Sequence, residues 1–261
     1  MQASTPDPGP AGVDLRIAPN SETMSQAAAA EIGARIRAAV AERGVAHVAL
    51  SGGTTPVGAY ELLAASLADW DGIQLYFADE RCVGPQDEQS NYRLAKEAFL
   101  AGADAAEVSR PHVPDEQLHR AEGELGPAVA ADRYAQLLRA QLPLDSAGMP
   151  VLDLAVLGIG PDGHIASLFP GHAALEADPA AVCLGIDDSP KPPPQRVTMS
   201  LSVLRAARCC VLMASGAAKA QALSGALDQP SAQAPASLLE RDTLVVIADA
   251  EAASLLTQGT A

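Results

Sequence analysis

Residues 45–56 read Val45-Ala46-His47-Val48-Ala49-Leu50-Ser51-Gly52-Gly53-Thr54-Thr55-Pro56, and they predict a buried strand, a glycine turn and the start of a helix. Short apolar runs alternate with longer helical patterns in the same way along the rest of the chain. Such alternation is typical of βαβ crossovers, which build a mostly parallel sheet. We therefore expect an α/β fold in which helices flank an open, mostly parallel sheet.

The apolar pattern also predicts where the individual elements lie. Strands are expected at 15–18, 45–50, 73–78, 152–157, 196–200, 209–214 and 243–248. Helices are expected at 21–43, 56–67, 90–100, 128–142, 219–227 and 250–255, the first of them ending at Gly44. Residues 1–12, with three prolines among small and polar residues, are predicted to be a disordered leader before a single α/β domain at 13–261.

The composition excludes several classes of function. Of 261 residues, 17 are Lys or Arg and 32 are Asp or Glu, which gives a formal net charge of −15. Because nucleic-acid binding needs clustered cations that neutralise phosphates, we expect no nucleic-acid partner. No run of about 18 apolar residues predicts a membrane span, so no membrane partner is expected. The opening residues lack the basic and apolar regions of a signal peptide, and we expect a cytoplasmic protein.

Cysteine and histidine spacing predicts no metal site. The four cysteines form no C-x-x-C motif, which argues against both zinc and a disulfide framework. Four of the histidines show no metal-ligand spacing and are interpreted as structural: His47, His112, His119 and His172.

The turn that follows the predicted strand at 45–50 is a candidate anion site, since ligands of parallel sheets bind beyond the carboxyl ends of strands. After Ser51, Gly52 and Gly53 let backbone N–H groups approach a ligand, and Thr54 and Thr55 add hydroxyl donors. A helix N-terminus behind such a turn attracts anions. The spacing and lysine of a nucleotide P-loop are missing. The alternative is a tight turn with an ordinary threonine cap.

Charged side chains accompany other predicted strands. Asp79, Glu80 and Arg81 follow the strand at 73–78, where they serve proton chemistry, clamp a phosphate or form a structural ion-pair cluster. Arg196 and Lys219 are cations at predicted strand ends, in a chain poor in positive charge. For these two residues the alternative is solvated surface.

The loop after the predicted strand at 152–157 reads Gly158-Ile159-Gly160-Pro161-Asp162-Gly163-His164. Its glycines satisfy G-x-G-x-x-G, but Pro161 within the motif and Pro170 shortly after it argue against the long helix of a dinucleotide fold. A histidine exchanges protons near neutral pH, and a nearby carboxylate holds it in one tautomer. We therefore interpret His164 and Asp162 as candidates for acid–base chemistry.

Taken together, these segments resemble the 6-phosphogluconolactonase family, which is related to glucosamine-6-phosphate deaminase. The resemblance runs from residue 18 to residue 248 and depends most on the block Gly158-Ile159-Gly160-Pro161-Asp162-Gly163-His164-Ile165-Ala166-Ser167. Segments 50–56, 79–81 with 90–92, 196–198 and 216–220 complete it. The resemblance implies a Rossmann-like three-layer fold of the isomerase and CoA-transferase type, with no metal or organic cofactor.

The same resemblance separates the two relatives. Deaminases carry a glutamate five positions after the active-site histidine, whereas this chain has Phe169 there, as lactonases do. It therefore implies hydrolysis of a small phosphorylated sugar lactone, 6-phospho-D-glucono-1,5-lactone, in the oxidative pentose phosphate pathway. We expect a monomer or small homo-oligomer. The alternatives are a deaminase-like or isomerase-like enzyme and a non-catalytic sugar-phosphate-binding protein.

The resemblance also implies roles for individual residues. His164 would act as general base and acid on an attacking water, Asp162 would orient it, and Arg81 would contact either the oxyanion or the phosphate. The expected substrate-binding residues are Ser51, Gly52, Gly53, Thr54, Thr55, Asp79, Gly160, Gly163, Arg196 and Lys219.

Overall fold

The computed structural model describes residues 12–106 and 110–256, together with the backbone of a short strand at Asp7–Pro8. The strands are β1 Asp7–Pro8, β2 Asp14–Ala18, β3 Ala46–Leu50, β4 Ile73–Phe77, β5 Asp79–Arg81, β6 Leu118–His119, β7 Leu154–Gly158, β8 Cys183–Ile186, β9 Arg196–Met199, β10 Cys210–Ala214 and β11 Leu244–Asp249. The α-helices are α1 Ser21–Arg43, α2 Thr54–Ser66, α3 Asn91–Asp104, α4 Pro127–Gln141, α5 Leu201–Ala206 and α6 Ala220–Leu227. Short 3-10 helices lie at Asp115–Gln117, Gly123–Leu125, Ala173–Glu176, Ala217–Lys219, Pro235–Leu238 and Arg241–Thr243.

The main sheet has eight strands in the order β1-β2-β11-β10-β7-β3-β4-β6, and only β1 runs antiparallel to its neighbour. From β3 the chain moves outward to β4, then returns to place β7 on the other side of β3. The carboxyl ends of β3 and β7 therefore diverge into loops at a topological switch point, where open α/β sheets bind ligands.

Side chains that alternate along the central strands build a core on each face of the sheet. Val211 packs with residues of α1, α2 and α3, whereas the next residue, Leu212, packs with residues of α4, α5 and α6. This gives a helical layer on each side of the sheet. The predicted three-layer α/β fold is confirmed.

A second sheet of three antiparallel strands, in the order β5-β9-β8, lies beside the main one. The strand predicted at 196–200 belongs here and not to the parallel sheet. Arg196 was predicted at a strand end but begins β9, and antiparallel pairing sets it opposite Arg81, which ends β5. The pairing therefore brings two arginines to the same edge of the molecule.

Several other local predictions are wrong or concern residues outside the described ranges. Residues 250–255 form turns after β11 instead of a helix. Strands β5, β6 and β8 and helix α5 were not predicted, because elements this short leave no periodic pattern. In the predicted leader, residues 1–6 and 9–11 lie outside the described residues, while β1 pairs with β2. Among the helices of the described ranges, none has the length and apolar content needed to cross a membrane.

Candidate active site

A cleft of about 400 Å3 opens where β3, β7 and β10 end. Most of the predicted site residues line it: Ser51, Gly52, Gly53, Thr54, Thr55, Asp79, Arg81, Gly160, His164, Arg196 and Lys219. Two predicted residues, Asp162 and Gly163, do not line the cleft, although both lie in the loop that carries His164. The cleft is also lined by residues that were not among the predicted site residues, including Asn91, Phe169, Lys191 and Ser215.

The turn after β3 presents unpaired polar groups to the cleft. Gly53 has φ 90° and precedes α2, and no side chain caps that helix. The Tyr60 hydroxyl fixes the turn, accepting from the Ser51 N–H and donating to the Ser51 carbonyl at 3.2 and 2.9 Å. Ser51 Oγ is buried without a hydrogen-bond partner within the described ranges. Free N–H groups at a helix N-terminus and an unpaired hydroxyl favour an anionic ligand over the threonine-capped turn.

The loop after β7 orients the imidazole of His164. Its Nδ1 lies 2.5 Å from Asp162 Oδ1, so Nδ1 carries the proton and Nε2 keeps a lone pair. Gly163, with φ 89°, makes the turn between these two side chains. The imidazole packs on Phe169 with ring centroids 4.7 Å apart, and 20% of the His164 side chain remains exposed. The histidine therefore reaches the cleft as an oriented acceptor.

Burial sets the charges of this pair. It lowers the pKa of the His164 imidazole below its usual value, although the hydrogen bond to Asp162 acts in the opposite direction. Burial tends to raise the pKa of Asp162, but His164 and Lys191 outweigh it and leave that pKa below the usual value. Near neutral pH the pair is thus a neutral imidazole beside a carboxylate, which is the state that a general base requires.

Gly160 lies against this pair, where no side chain fits. A Cβ built on Gly160 would stand 2.0 Å from His164 Nδ1 and 2.5 Å from Asp162 Oδ1. We expect Gly160→Ala to displace the imidazole and lower kcat by up to about 10²-fold, the cost of misplacing a reacting group by about 1 Å. Steady-state kinetics measures this. Gly84→Ala is the control, because a Cβ there meets no atom within 4 Å, and equal activities of the two variants would contradict the prediction.

Asp79 is buried and held by hydrogen bonds in the wall of the cleft. Its Oδ2 accepts from Ser167 Oγ at 2.7 Å, and its Oδ1 accepts from Asn91 Nδ2 at 3.2 Å. Gly52 approaches Asn91 so closely that a Cβ there would lie 1.8 Å from Asn91 Oδ1. The carboxylate therefore links β5 to α3 and to the loop after β7, and Asn91 in turn packs against the turn after β3.

Of the two residues that follow Asp79 in the sequence, Glu80 supports the fold and Arg81 lines the cleft. The Glu80 carboxylate accepts from the backbone N–H groups of Asn91 and Tyr92, at 2.7 and 2.9 Å, and anchors the start of α3. Burial raises the pKa of Glu80. Arg81 donates from Nη1 to the Gln89 carbonyl, while its Nε is buried without a partner within the described ranges. Glu80 is thus structural, and Arg81 keeps a donor for a ligand.

The cations of the cleft are held in different ways. Arg196 is 5% exposed and donates from Nε to the Pro193 carbonyl at 2.8 Å, with Nη1 3.9 Å from Asp79 Oδ2. Lys219 follows β10 and is half-buried, and burial together with nearby Lys191 lowers its pKa. Lys191 Nζ lies 3.1 Å from Asp162 Oδ2. Sequence reasoning missed Lys191 because it stands among prolines, although the scarcity of cations in this acidic chain was a signal.

Metal ligands are not assembled at this site. Within the described ranges, no group of three or more His, Cys, Asp or Glu side chains is arranged to hold a metal ion. The described side chains bring together an oriented imidazole, a buried carboxylate and several cations.

A family described as glucosamine-6-phosphate isomerases/6-phosphogluconolactonase matches residues 19–248. The chain belongs to this family. The 6-phosphogluconolactonase of Homo sapiens is 40% identical over 235 residues, covering 89% of this chain and 86% of that protein. That of Mycobacterium leprae is 35% identical over 251 residues, covering 92% and 97%. The solved structure of 6-phosphogluconolactonase from Trypanosoma brucei has a TM-score of 0.79 and 27% identity, and the match covers 93% of this chain and 98% of that one. The family membership expected from the motifs is confirmed.

Proposed function

We propose that this protein hydrolyses 6-phospho-D-glucono-1,5-lactone to 6-phospho-D-gluconate, a step of the oxidative pentose phosphate pathway. One observation carries the proposal: an imidazole oriented by Asp162 and an uncapped helix N-terminus open into the same cleft. A phosphorylated lactone needs both features, an anion site for its phosphate and a base beside its carbonyl. The similarity over most of the chain to proteins named 6-phosphogluconolactonase supports the same reaction.

The phosphate would bind to the turn after β3 together with Lys219 and Arg196. Uncapped N–H groups at the start of α2 and the partly desolvated ammonium suit a dianion. The net charge of −15 repels such a substrate at long range, but physiological salt screens beyond about 8 Å, so local groups dominate. Binding at the phosphate would hold the remote carbonyl in place for attack.

His164 would then move the proton. Its Nε2 takes a proton from water as the water oxygen bonds to the lactone carbonyl carbon, which gives a tetrahedral oxyanion. The resulting imidazolium returns a proton to the ring oxygen as the bond between that oxygen and the carbonyl carbon breaks. Asp162 stabilises the imidazolium through Nδ1. The unpaired Nε of Arg81 supports contact with either the oxyanion or the phosphate.

The direct test is a pH-stat assay of acid release from freshly prepared phosphogluconolactone, with spontaneous hydrolysis subtracted. We expect rapid release by the wild type and little above background with His164→Ala. Glucosamine 6-phosphate is the matched second substrate, because Phe169 stands where a deaminase carries a glutamate. Ammonia release from it, without lactone hydrolysis, would overturn the proposal, and sugar-phosphate binding without turnover would indicate a non-catalytic binding protein.

The cations give a separate prediction. Lys219→Met is expected to raise KM by about 10- to 100-fold with a smaller change in kcat, since it removes a charge-assisted contact to the phosphate. Arg196→Ala should also raise KM, but it releases the loop that carries Lys191, so its kcat should fall as well. Steady-state kinetics measures both constants. Lys96→Met is the control, because this exposed lysine pairs with Asp115 and does not line the cleft. An unchanged KM in both cleft variants would mean that the phosphate binds elsewhere.

The domain organisation, the cellular compartment and the assembly state are also part of the proposal. We expect a single α/β domain after the leader at 1–12, acting in the cytoplasm as a monomer or small homo-oligomer. Light scattering on the purified protein measures the assembly, and fractionation of cells measures the compartment.

A further inference from the structure

Lys191 reaches the site from the loop between β8 and β9. Its Nζ lies 3.1 Å from Asp162 Oδ2, while the other oxygen of that carboxylate accepts from His164 Nδ1 at 2.5 Å. One carboxylate therefore bridges an ammonium and an imidazole. The Lys191 side chain is 36% exposed and lines the cleft, so it faces the bound substrate as well as the pair.

The backbone that carries Lys191 is fixed by hydrogen bonds. The Ser189 hydroxyl donates to the Lys191 carbonyl at 3.0 Å and accepts from the Lys191 N–H at 3.2 Å. The buried guanidinium of Arg196 donates to the carbonyls of Pro192 and Pro193 at 3.1 and 2.8 Å, and to that of Lys191 at 3.3 Å. Because the buried Arg196 side chain anchors this loop through three backbone carbonyls, the Lys191 ammonium has a defined position beside Asp162.

The two lysines of the cleft differ in what neutralises them. Lys191 is paired with a carboxylate, whereas no carboxylate within the described ranges lies within 4.0 Å of the Lys219 ammonium. A phosphate makes its strongest charge-assisted contact with a cation that no carboxylate already neutralises. Lys219 is thus the better phosphate ligand, because Asp162 already neutralises the charge of Lys191.

We propose that Lys191 is a positioning residue that acts on His164 through Asp162, and that it does not bind the phosphate. This inference rests on the proposed lactonase function. Lys191 holds Asp162 in the rotamer that turns Oδ1 toward the imidazole, and its charge balances that of the carboxylate.

The second effect has a definite sign. The charged groups that face His164 are Asp162 on its own loop, Lys191 on the β8–β9 loop and Asp79 on β5. Farther along the cleft, Lys219 lies near Asp162 and Lys191. Removing Lys191 takes away the cation that opposes Asp162, whereas Asp79 keeps Arg196 nearby. The net charge around the imidazole becomes more negative, which favours the imidazolium and raises the pKa of His164. More of the base is then protonated at a given pH, and the acid limb of the pH–rate profile moves to higher pH.

The experiment compares Lys191→Met with Lys219→Met, since each removes one ammonium from the same cleft. The pH dependence of kcat, KM for phosphogluconolactone and the NMR titration of His164 are measured for both variants. For Lys191→Met we expect kcat to fall by about 10- to 100-fold, as for a displaced reacting group, with KM changing less. We also expect the His164 titration to move to higher pH. Lys219→Met should raise KM and leave that titration in place.

Two further variants separate charge from folding. Lys191→Arg keeps the charge and should restore both the titration of His164 and most of kcat. Lys191→Gln keeps a donor to Asp162 without the charge, so the titration should shift even if Lys191→Met does not fold. An unmoved His164 titration in Lys191→Gln, or a rise in KM like that of Lys219→Met without a change in kcat, would overturn the inference. The titration needs no substrate, so failure of the lactonase proposal appears separately, as absent turnover by the wild type.

Discussion

Replacing His164 by alanine is expected to lower kcat by about 10²–10⁴-fold and to change KM much less, because general-base removal costs turnover and not binding. The imidazole is oriented by a 2.5 Å contact with Asp162 and stays partly exposed to the cleft. The turn after β3, where we propose that the phosphate binds, is fixed by Tyr60 and not by His164. Steady-state kinetics, corrected for spontaneous hydrolysis, separates the two constants.

His172→Ala is the matched control. This second histidine also lies beside Phe169, with ring centroids 6.5 Å apart, but it pairs with Asp188 and does not line the cleft. We expect it to leave kcat close to that of the wild type. Near-normal turnover by a folded His164→Ala protein would contradict the assignment of the base.

The pH–rate profile gives an independent measure of the same residue. Burial lowers the pKa of His164, so the neutral base predominates at pH 7 and is lost as the pH falls through that lowered value. Turnover should therefore persist to a pH below the ordinary histidine value of about 6.5 and then decline. In His164→Ala this acid limb should disappear, whereas a profile that keeps it would identify a different base.

Much of this site could be predicted because its residues follow parallel strands. The apolar strands β3, β7 and β10 have clear boundaries in the sequence, and parallel pairing necessarily brings their carboxyl ends to one edge. Ser51, His164 and Lys219 each stand a few residues beyond such an end. Their convergence therefore follows from the order of strands and loops, without knowledge of any single contact.

The small antiparallel sheet could not be predicted in the same way. β5 has only three residues, and its partner β9 lies more than a hundred positions away, so neither periodicity nor turn chemistry signals the pairing. Arg196 enters the cleft only through this pairing, and Lys191 only through the loop that Arg196 holds. These contributions depend on long-range hydrogen bonds.

Asp162→Asn is expected to lower kcat by about as much as loss of the base, because a misoriented tautomer costs up to about 10⁴-fold in hydrolytic triads. The amide could in principle present either its oxygen or its NH2 group to His164. Lys191 decides between them. Its ammonium can only donate hydrogen bonds, so the amide oxygen must face Lys191 Nζ. The NH2 group then donates to Nδ1 of His164 and forces the ring proton onto Nε2, where the base is needed.

A double variant tests whether Lys191 sets the orientation of the amide. In Asp162→Asn combined with Lys191→Met, the amide is free to rotate and return its oxygen to Nδ1, so kcat should recover in part although a second residue has been removed. The nitrogen chemical shifts of His164 report the tautomer directly, and they should show Nε2–H in the single variant and a shift toward Nδ1–H in the double one. If Lys191→Met lowers kcat by the same factor in the Asp162→Asn background as in the wild type, the two residues act independently. Lys191 would then not control the carboxylate.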